Sequence, residues 1–326
     1  MTATTPALRT GLSTAIEATR LTKSFPTGRG RRRQFIEAVH DISFTVESGE
    51  RVAYIGPNGA GKSTSIKMLT GILHPTSGSA SVLGRLPWRE RRALTRQIGT
   101  LFGQRSQLWL ELTPRETYRM LGAIYRLDTT RLRSRVDELG ELLEARELFD
   151  QPVRSLSLGQ RMRCELAACL LHDPLVLFLD EPTIGLDLLA KQRFRELLVR
   201  LNRDRGTTIF LTSHDVSDIE QVAERAIVIN HGRVIYDDRV AAMRRELLAT
   251  KIVEVALSEP IAFTPSQGVT TAEASASALR LVVDTTVRPV REVLDTLLTI
   301  GQVTDITVTD PPLEQVIAEI YERPRT

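Results

Sequence analysis

Gly56-Pro57-Asn58-Gly59-Ala60-Gly61-Lys62-Ser63-Thr64 decides how this chain is read. The stretch fits the pattern G-x-x-x-x-G-K-[ST]. Its glycines let the backbone curl until several N–H groups face one anion. The lysine can reach β- and γ-phosphates, and the hydroxyl of Ser63 can ligate Mg²⁺. The flanks suit that reading. Arg51-Val52-Ala53-Tyr54-Ile55 predicts a short buried strand, and Ser65-Ile66-Lys67-Met68-Leu69 opens a helical pattern. A helix starting there turns its positive dipole end toward the same anion.

Outward from this loop, residues 16–21 alternate as a strand should, and residues 35–46 read as two more strands. Between them, Arg29, Arg31, Arg32 and Arg33 form a basic run, expected to be a solvated loop. Helical periodicity dominates residues 114–148, with Pro114 at a helix start, and returns over residues 158–171. Leu175-Val176-Leu177-Phe178-Leu179 is apolar throughout, as a strand buried on both faces of a parallel sheet would be. A helix is expected over residues 189–203, a strand over 207–212 and a hairpin around His231-Gly232. The composition shifts after Met243. From there strands at 252–257, 279–283 and 303–308 and helices at 287–300 and 313–321 suggest a separate small α/β domain, with 264–278 as a loop. The expected division is thus a disordered tail over 1–15, a main domain over 16–243 and an accessory domain over 244–326.

The composition narrows the classes. The chain has 326 residues, 42% hydrophobic and 25% charged, as a globular protein would, and a net charge of only +3 calls for no nucleic-acid partner. No run approaches the roughly 18 apolar residues needed to span a bilayer. The Thr/Ala-rich start has no apolar core and does not read as a signal peptide. Cys164 and Cys169 fall within one apolar helical pattern, match no metal-ligand spacing, and read as small buried hydrophobes.

Asp180 closes the apolar strand and Glu181 follows it. A carboxylate at that strand end can hold Mg²⁺ through water beside Ser63. The next one can orient and deprotonate a water attacking the γ-phosphate.

Here the chain resembles the ATP-binding-cassette (ABC) ATPases. Leu156-Ser157-Leu158-Gly159-Gln160 is similar to the family signature, usually Leu-Ser-Gly-Gly-Gln. Asp180-Glu181-Pro182-Thr183 resembles the acidic end of the Walker B strand, and Gly185-Leu186-Asp187 the dimer-facing loop. The resemblance implies that His214 senses the γ-phosphate, that Gln104 senses Mg²⁺ and a membrane partner, and that Phe25 stacks on adenine. It spans roughly residues 16–240. It implies a P-loop α/β core, an antiparallel β subdomain and a helical subdomain over about 105–172. ATP and Mg²⁺ are the implied ligands. Ser157, Gly159 and Gln160 would meet the ATP held by the phosphate loop of a second copy, so a head-to-tail dimer is implied. The departure is Leu158, where the family usually has Gly.

The interval between Lys62 and Asp180 leaves no room for the long coiled coil of the DNA-repair relatives, and one set of motifs argues against the two-cassette ribosome-acting relatives. Phe102-Gly103-Gln104-Arg105-Ser106-Gln107-Leu108-Trp109 and the accessory domain, with its closing Pro312-Leu313-Glu314-Gln315-Val316-Ile317, resemble the type-2 exporters. The expectation is an ATPase subunit, peripheral on the cytoplasmic face of the inner membrane, that docks on separate permease subunits and drives export. An importer ATPase and a soluble ATPase are the alternatives. Leu108, Trp109 and Leu110 read either as core or as a pocket for a permease helix.

Overall fold

The computed structural model describes residues 13–27, 34–103, 106–213, 215–248, 250–259, 263–275, 277–300, 303–311, 317, 320 and 321. Two compact units divide the chain, Met1–Asp237 and Asp238–Thr326. The first runs through β1 (Thr14–Thr27), β2 (Gln34–Glu47), β3 (Arg51–Ile55), α1 (Lys62–Leu69), β4 (Ser77–Val82), α2 (Arg91–Leu94), β5 (Ile98–Phe102), α3 (Pro114–Tyr125), α4 (Thr129–Leu142), α5 (Leu158–Leu170), β6 (Val176–Asp180), α6 (Leu188–Arg205), β7 (Thr208–Ser213), α7 (Val216–Val222) and β8 (Arg225–Asn230). β9 (Arg233–Arg239) crosses the division. The second continues with α8 (Val240–Leu248), β10 (Thr250–Leu257), β11 (Val269–Ala274), β12 (Ala278–Asp284), α9 (Val290–Ile300) and β13 (Val303–Thr309).

One sheet has the order β5-β6-β7-β3-β8-β9, and its pairings from β5 through β8 are parallel. Its central strands are buried on both faces because both are covered, which is why β6 opens with the apolar run Val176–Leu179 and β7 carries Ile209, Phe210 and Leu211 in succession. The register sets the site. Asp180 pairs with Phe102 on one side and Thr212 on the other, and Ser213 pairs with Ile55. The carboxyl ends of four strands therefore finish level, along the edge where such sheets bind ligands.

A second sheet, β2-β1-β4, is antiparallel. Aromatic packing joins the two layers: Phe210 of β7 lies 5.9 Å from Phe44 of β2, 5.3 Å from Tyr54 and 5.7 Å from Phe178, centroid to centroid. Each such ring contributes roughly 1.5–3 kcal/mol by leaving water. The helices α3, α4 and α5 close around another core, where Tyr118 donates to the Cys164 carbonyl at 2.9 Å and meets Phe149 edge-on. Both cysteines are buried, and burial pushes the Cys164 thiol up to about 12.

Three expectations need correction. Residues 35–46 form one strand, because the ladder with β1 continues past the left-handed Asp41. Thr14 and Ala15 are not tail. They belong to β1, where Thr14 pairs with Glu47 and Ala15 is buried. The loop expected over 264–278 contains β11, an edge strand held by pairing to β12 rather than by burial, so it lacks the alternation that marks a strand. Most of the helix expected over 313–321, and the Arg29–Arg33 run, lie outside the described residues.

The second unit pairs its strands as β11-β12-β10-β13, all antiparallel. Its core gathers Val253, Val255, Leu281, Val283, Val293 and Leu297.

Candidate functional site

The phosphate loop joins β3 to α1. Gly61 caps α1 at φ +105°, and a Cβ there would lie 2.4 Å from the Ala38 carbonyl oxygen, so neither the conformation nor the space admits a side chain. A Cβ on Gly56 would lie 2.3 Å from the Ile229 carbonyl oxygen. The curl is stitched by Ala60 N–H to the Pro57 carbonyl at 3.1 Å and braced by Gly232 N–H to the Ala60 carbonyl at 3.0 Å.

Lys62 is only 6% exposed. Its ammonium donates to the carbonyls of Gly56 at 2.7 Å and Pro57 at 3.3 Å, and lies 3.7 Å from Glu181 Oε1. A buried cation at a helix N-terminus is suited to an anion such as a phosphate group. Ser65, three residues further along α1, is tied to the sheet by Tyr54 at 3.1 Å.

Asn58, Gly59, Ala60, Gly61, Lys62, Ser63 and Thr64 line a cavity of about 600 Å³ together with Asp180 and Glu181. The structure thus brings together the phosphate loop and the acidic pair. Gly56 and Pro57 contribute through their carbonyls to Lys62. Phe25 sits on β1 opposite Ile36, with Lys23 Nζ 5.2 Å from its ring centroid, and is not part of the cavity wall. Gln104 and His214 lie outside the described residues.

Two residues outside the Asp180-Glu181 motif fix the acidic pair. The Thr212 hydroxyl donates to Asp180 Oδ1 at 2.7 Å and accepts from Glu181 N–H at 3.0 Å. Gly103 N–H donates to the Asp180 carbonyl at 2.9 Å, and a Cβ on Gly103 would lie 2.4 Å from the Glu181 carbonyl oxygen. Glu181 itself has φ +51°, a left-handed conformation costing a non-glycine residue about 1–2 kcal/mol. Such strain at a cavity wall is characteristic of functional positions.

Beyond Gln104, the chain is anchored by Glu165 of α5, 4% exposed, which accepts from Gln107 N–H at 2.9 Å and from the Ser106 hydroxyl. Leu108 is buried here while Trp109 and Leu110 are exposed, so the trio splits between core and surface.

The Ser157 region lies at the start of α5. Ser157 Oγ accepts from Gln160 N–H, and Gln160 Oε1 accepts from Ser157 N–H at 2.8 Å, a reciprocal capping box. Ser157, Gly159 and Gln160 line a separate hollow of about 220 Å³ with Asp187 and Ala190 of the neighbouring loop and helix. Leu158 has ordinary helical backbone and a side chain left 46% exposed.

A phosphate loop at the carboxyl edge of a parallel sheet, with two acidic residues at the end of a nearby strand, defines a nucleoside-triphosphate-binding protein. The ABC transporter family profile matches residues 39–184. The ABC transporter ATP-binding protein NatA of Bacillus subtilis is 33% identical over 205 residues, covering 63% of this chain and 83% of that one. The Nod factor export ATP-binding protein I of Rhizobium leguminosarum bv. viciae is 35% identical over 226 residues, covering 68% and 71%. Among solved structures, a dimeric ATP-binding cassette in a post-hydrolysis state with ADP and Pi aligns with TM-score 0.61 and 26% identity over 69% of this chain and 98% of that one. This chain belongs to the ATP-binding subunits of the ABC transporter family. Members of that family bind and hydrolyse ATP, and their cassettes form dimers. Among the described residues no helix is long and apolar enough to cross a membrane.

Proposed function

We propose that this chain is the ATP-hydrolysing subunit of an exporter, working as a head-to-tail pair on separate membrane permease subunits. The observation that carries this reading is the separation of two half-sites in one chain. The phosphate loop and acidic pair wall one cavity, and the capped N-terminus of α5 walls another. Each half supplies what the other lacks if two copies face each other.

In this reading residues 56–64 and the α1 dipole hold the triphosphate, and Lys62 neutralises it. Ser63 and Asp180, with Gln104, would hold Mg²⁺, which when bound would neutralise phosphate charge. A hydroxyl and a carboxylate are oxygen donors of the kind Mg²⁺ takes. Glu181, held by Thr212, accepts the proton of the attacking water, and His214 reports on the γ-phosphate. Ser157, Gly159 and Gln160 meet the nucleotide of the other copy. Phe25 supplies a ring for the base.

Ile184, Leu188 and Leu189, along the chain leading into α6, and Leu158 at the start of α5 all leave apolar surface in water, Leu188 being 80% exposed. That surface supports a partner-facing role for the loop before α6. Trp109 and Leu110 are the surface offered to the permease. Export is favoured over import by the export-named relatives, and a permease partner places the chain on the cytoplasmic face of the inner membrane.

The test is purification of the tagged chain from its native cells in mild detergent. A polytopic membrane protein in near-equal amount supports the reading. Ribosomal or DNA-bound material, with none of the chain in the membrane fraction, contradicts it.

A further inference from the structure

Asp218 of α7 is 1% exposed and lies outside the cavity wall. Its carboxylate accepts three hydrogen bonds. Thr183 Oγ1 donates at 2.6 Å, Ser213 Oγ at 2.7 Å and Arg195 Nε at 2.6 Å. The donors come from three different segments. Thr183 lies in the turn just after Glu181, where Leu186 N–H closes back on the Thr183 carbonyl at 3.2 Å. Ser213 follows Thr212, the residue that holds both Asp180 and Glu181. Arg195 lies on α6, the helix capped by Asp187.

The network extends one step further. Arg195 Nη2 lies 3.2 Å from Asp215 Oδ2, and Lys191 Nζ donates to the same oxygen at 2.6 Å. Asp215 N–H donates to Ser213 Oγ at 2.9 Å. Burial alone would raise the Asp215 carboxyl, but Lys191 and Arg195 outweigh it and hold it below the ordinary carboxylate range. Both sequence neighbours of His214 are therefore fixed.

A buried ion pair is a poor source of stability, because desolvation offsets the attraction and an apolar pair of similar volume does as well or better. What an apolar pair cannot do is hold two hydroxyls and a guanidinium at fixed positions. We propose that Asp218 is a positioning residue for ATP hydrolysis: it fastens the turn after Glu181, the end of β7 and helix α6 into one unit, so that movement of the 184–187 segment reaches Glu181. This role rests on Glu181 being the base, as proposed above.

Three variants of the full chain test it, with steady-state ATPase kinetics, equilibrium ATP affinity and thermal unfolding measured on each. Thr183→Val removes one bond to Asp218 and leaves the ion pair in place. It is expected to lower kcat about tenfold with ATP affinity within about twofold, the pattern of a lost transition-state interaction. Thr183→Ser, which keeps the hydroxyl, should recover most of that loss. Arg195→Met/Asp218→Leu should unfold near the wild-type temperature yet lose kcat by about thirtyfold or more.

Wild-type kcat in Thr183→Val, or in a folded Arg195→Met/Asp218→Leu variant, would overturn the proposal. So would a Thr183→Ser variant as impaired as Thr183→Val. If the double variant does not fold, the Thr183 pair still decides. Glu181→Gln is run alongside, since normal hydrolysis by that variant would show that the base assignment, and not the hub, is at fault.

Discussion

Leu158 leans on Gly185: a Cβ placed on the glycine would lie 2.9 Å from Leu158 Cδ2. Gly185 has φ +76°, a conformation in which any side chain is strained, whereas Leu158 Cδ2 is the end of a flexible, half-exposed side chain that can move aside. The contact joins the start of α5 to the loop before α6. The same two regions share the smaller hollow, and Gly159 sits close enough to Ala190 that a Cβ would lie 3.0 Å away. The residue that departs from the family signature is thus packed against the loop before α6 and is still 46% exposed.

Leu158 is accordingly expected to be compatible with turnover. Leu158→Gly should change ATPase activity by less than about tenfold, as for a contact outside the reacting centre. A larger rise would make Leu158 a brake. Gly185→Ala should destabilise the chain by about 1–2 kcal/mol, the strain of a left-handed alanine, read as a lower denaturant midpoint.

Trp109 is 45% exposed, next to a segment clamped by Glu165 to the helix that begins at the signature. Trp109→Ala should therefore lower export far more than ATP hydrolysis when both are measured in the same vesicles. Equal loss of both would return Trp109 to a purely structural role.

His172 makes stability depend on pH. Its Nε2 lies 2.9 Å from the Ile98 carbonyl and must donate to it, and the ring stacks on Tyr125 at 3.9 Å. Nδ1 is buried with no partner among the described residues. Burial lowers its pKa to about 4, with the Ile98 bond opposing. The folded chain keeps this ring neutral while the unfolded chain protonates it near pH 6.5. Its contribution is therefore complete above that value and is lost as pH falls toward 4, up to on the order of 3 kcal/mol. Urea midpoints taken from pH 7.5 to 5.0 should fall more steeply in the wild type than in His172→Gln, which keeps a donor but does not titrate. Identical slopes would remove His172 as the cause.

The parts legible in the sequence are those whose chemistry is local. The phosphate loop, the apolar run into Asp180-Glu181 and the Ser157/Gln160 box each form within a few residues, so their pattern is their structure. Thr212, Gly103 and Asp218 act across strands and helices brought together only by the fold, and a threonine at a strand end has no signature of its own. β11 leaves no pattern in the sequence for a related reason: an edge strand is held by one neighbour's backbone and needs no apolar face. Leu108, Trp109 and Leu110 could not be apportioned between core and surface until the anchoring of Ser106 and Gln107 by Glu165 was visible.

If Glu181 is the base of an ATPase that closes as a pair around the nucleotide, Glu181→Gln should bind ATP, pair and stall, which size-exclusion chromatography with light scattering and phosphate release under saturating ATP and Mg²⁺ would read. A stable dimer that forms only with ATP is expected, with turnover lowered about 10²–10⁴-fold, as for loss of a general base. A variant that stays monomeric with ATP bound, or hydrolyses ATP at the wild-type rate, would contradict it.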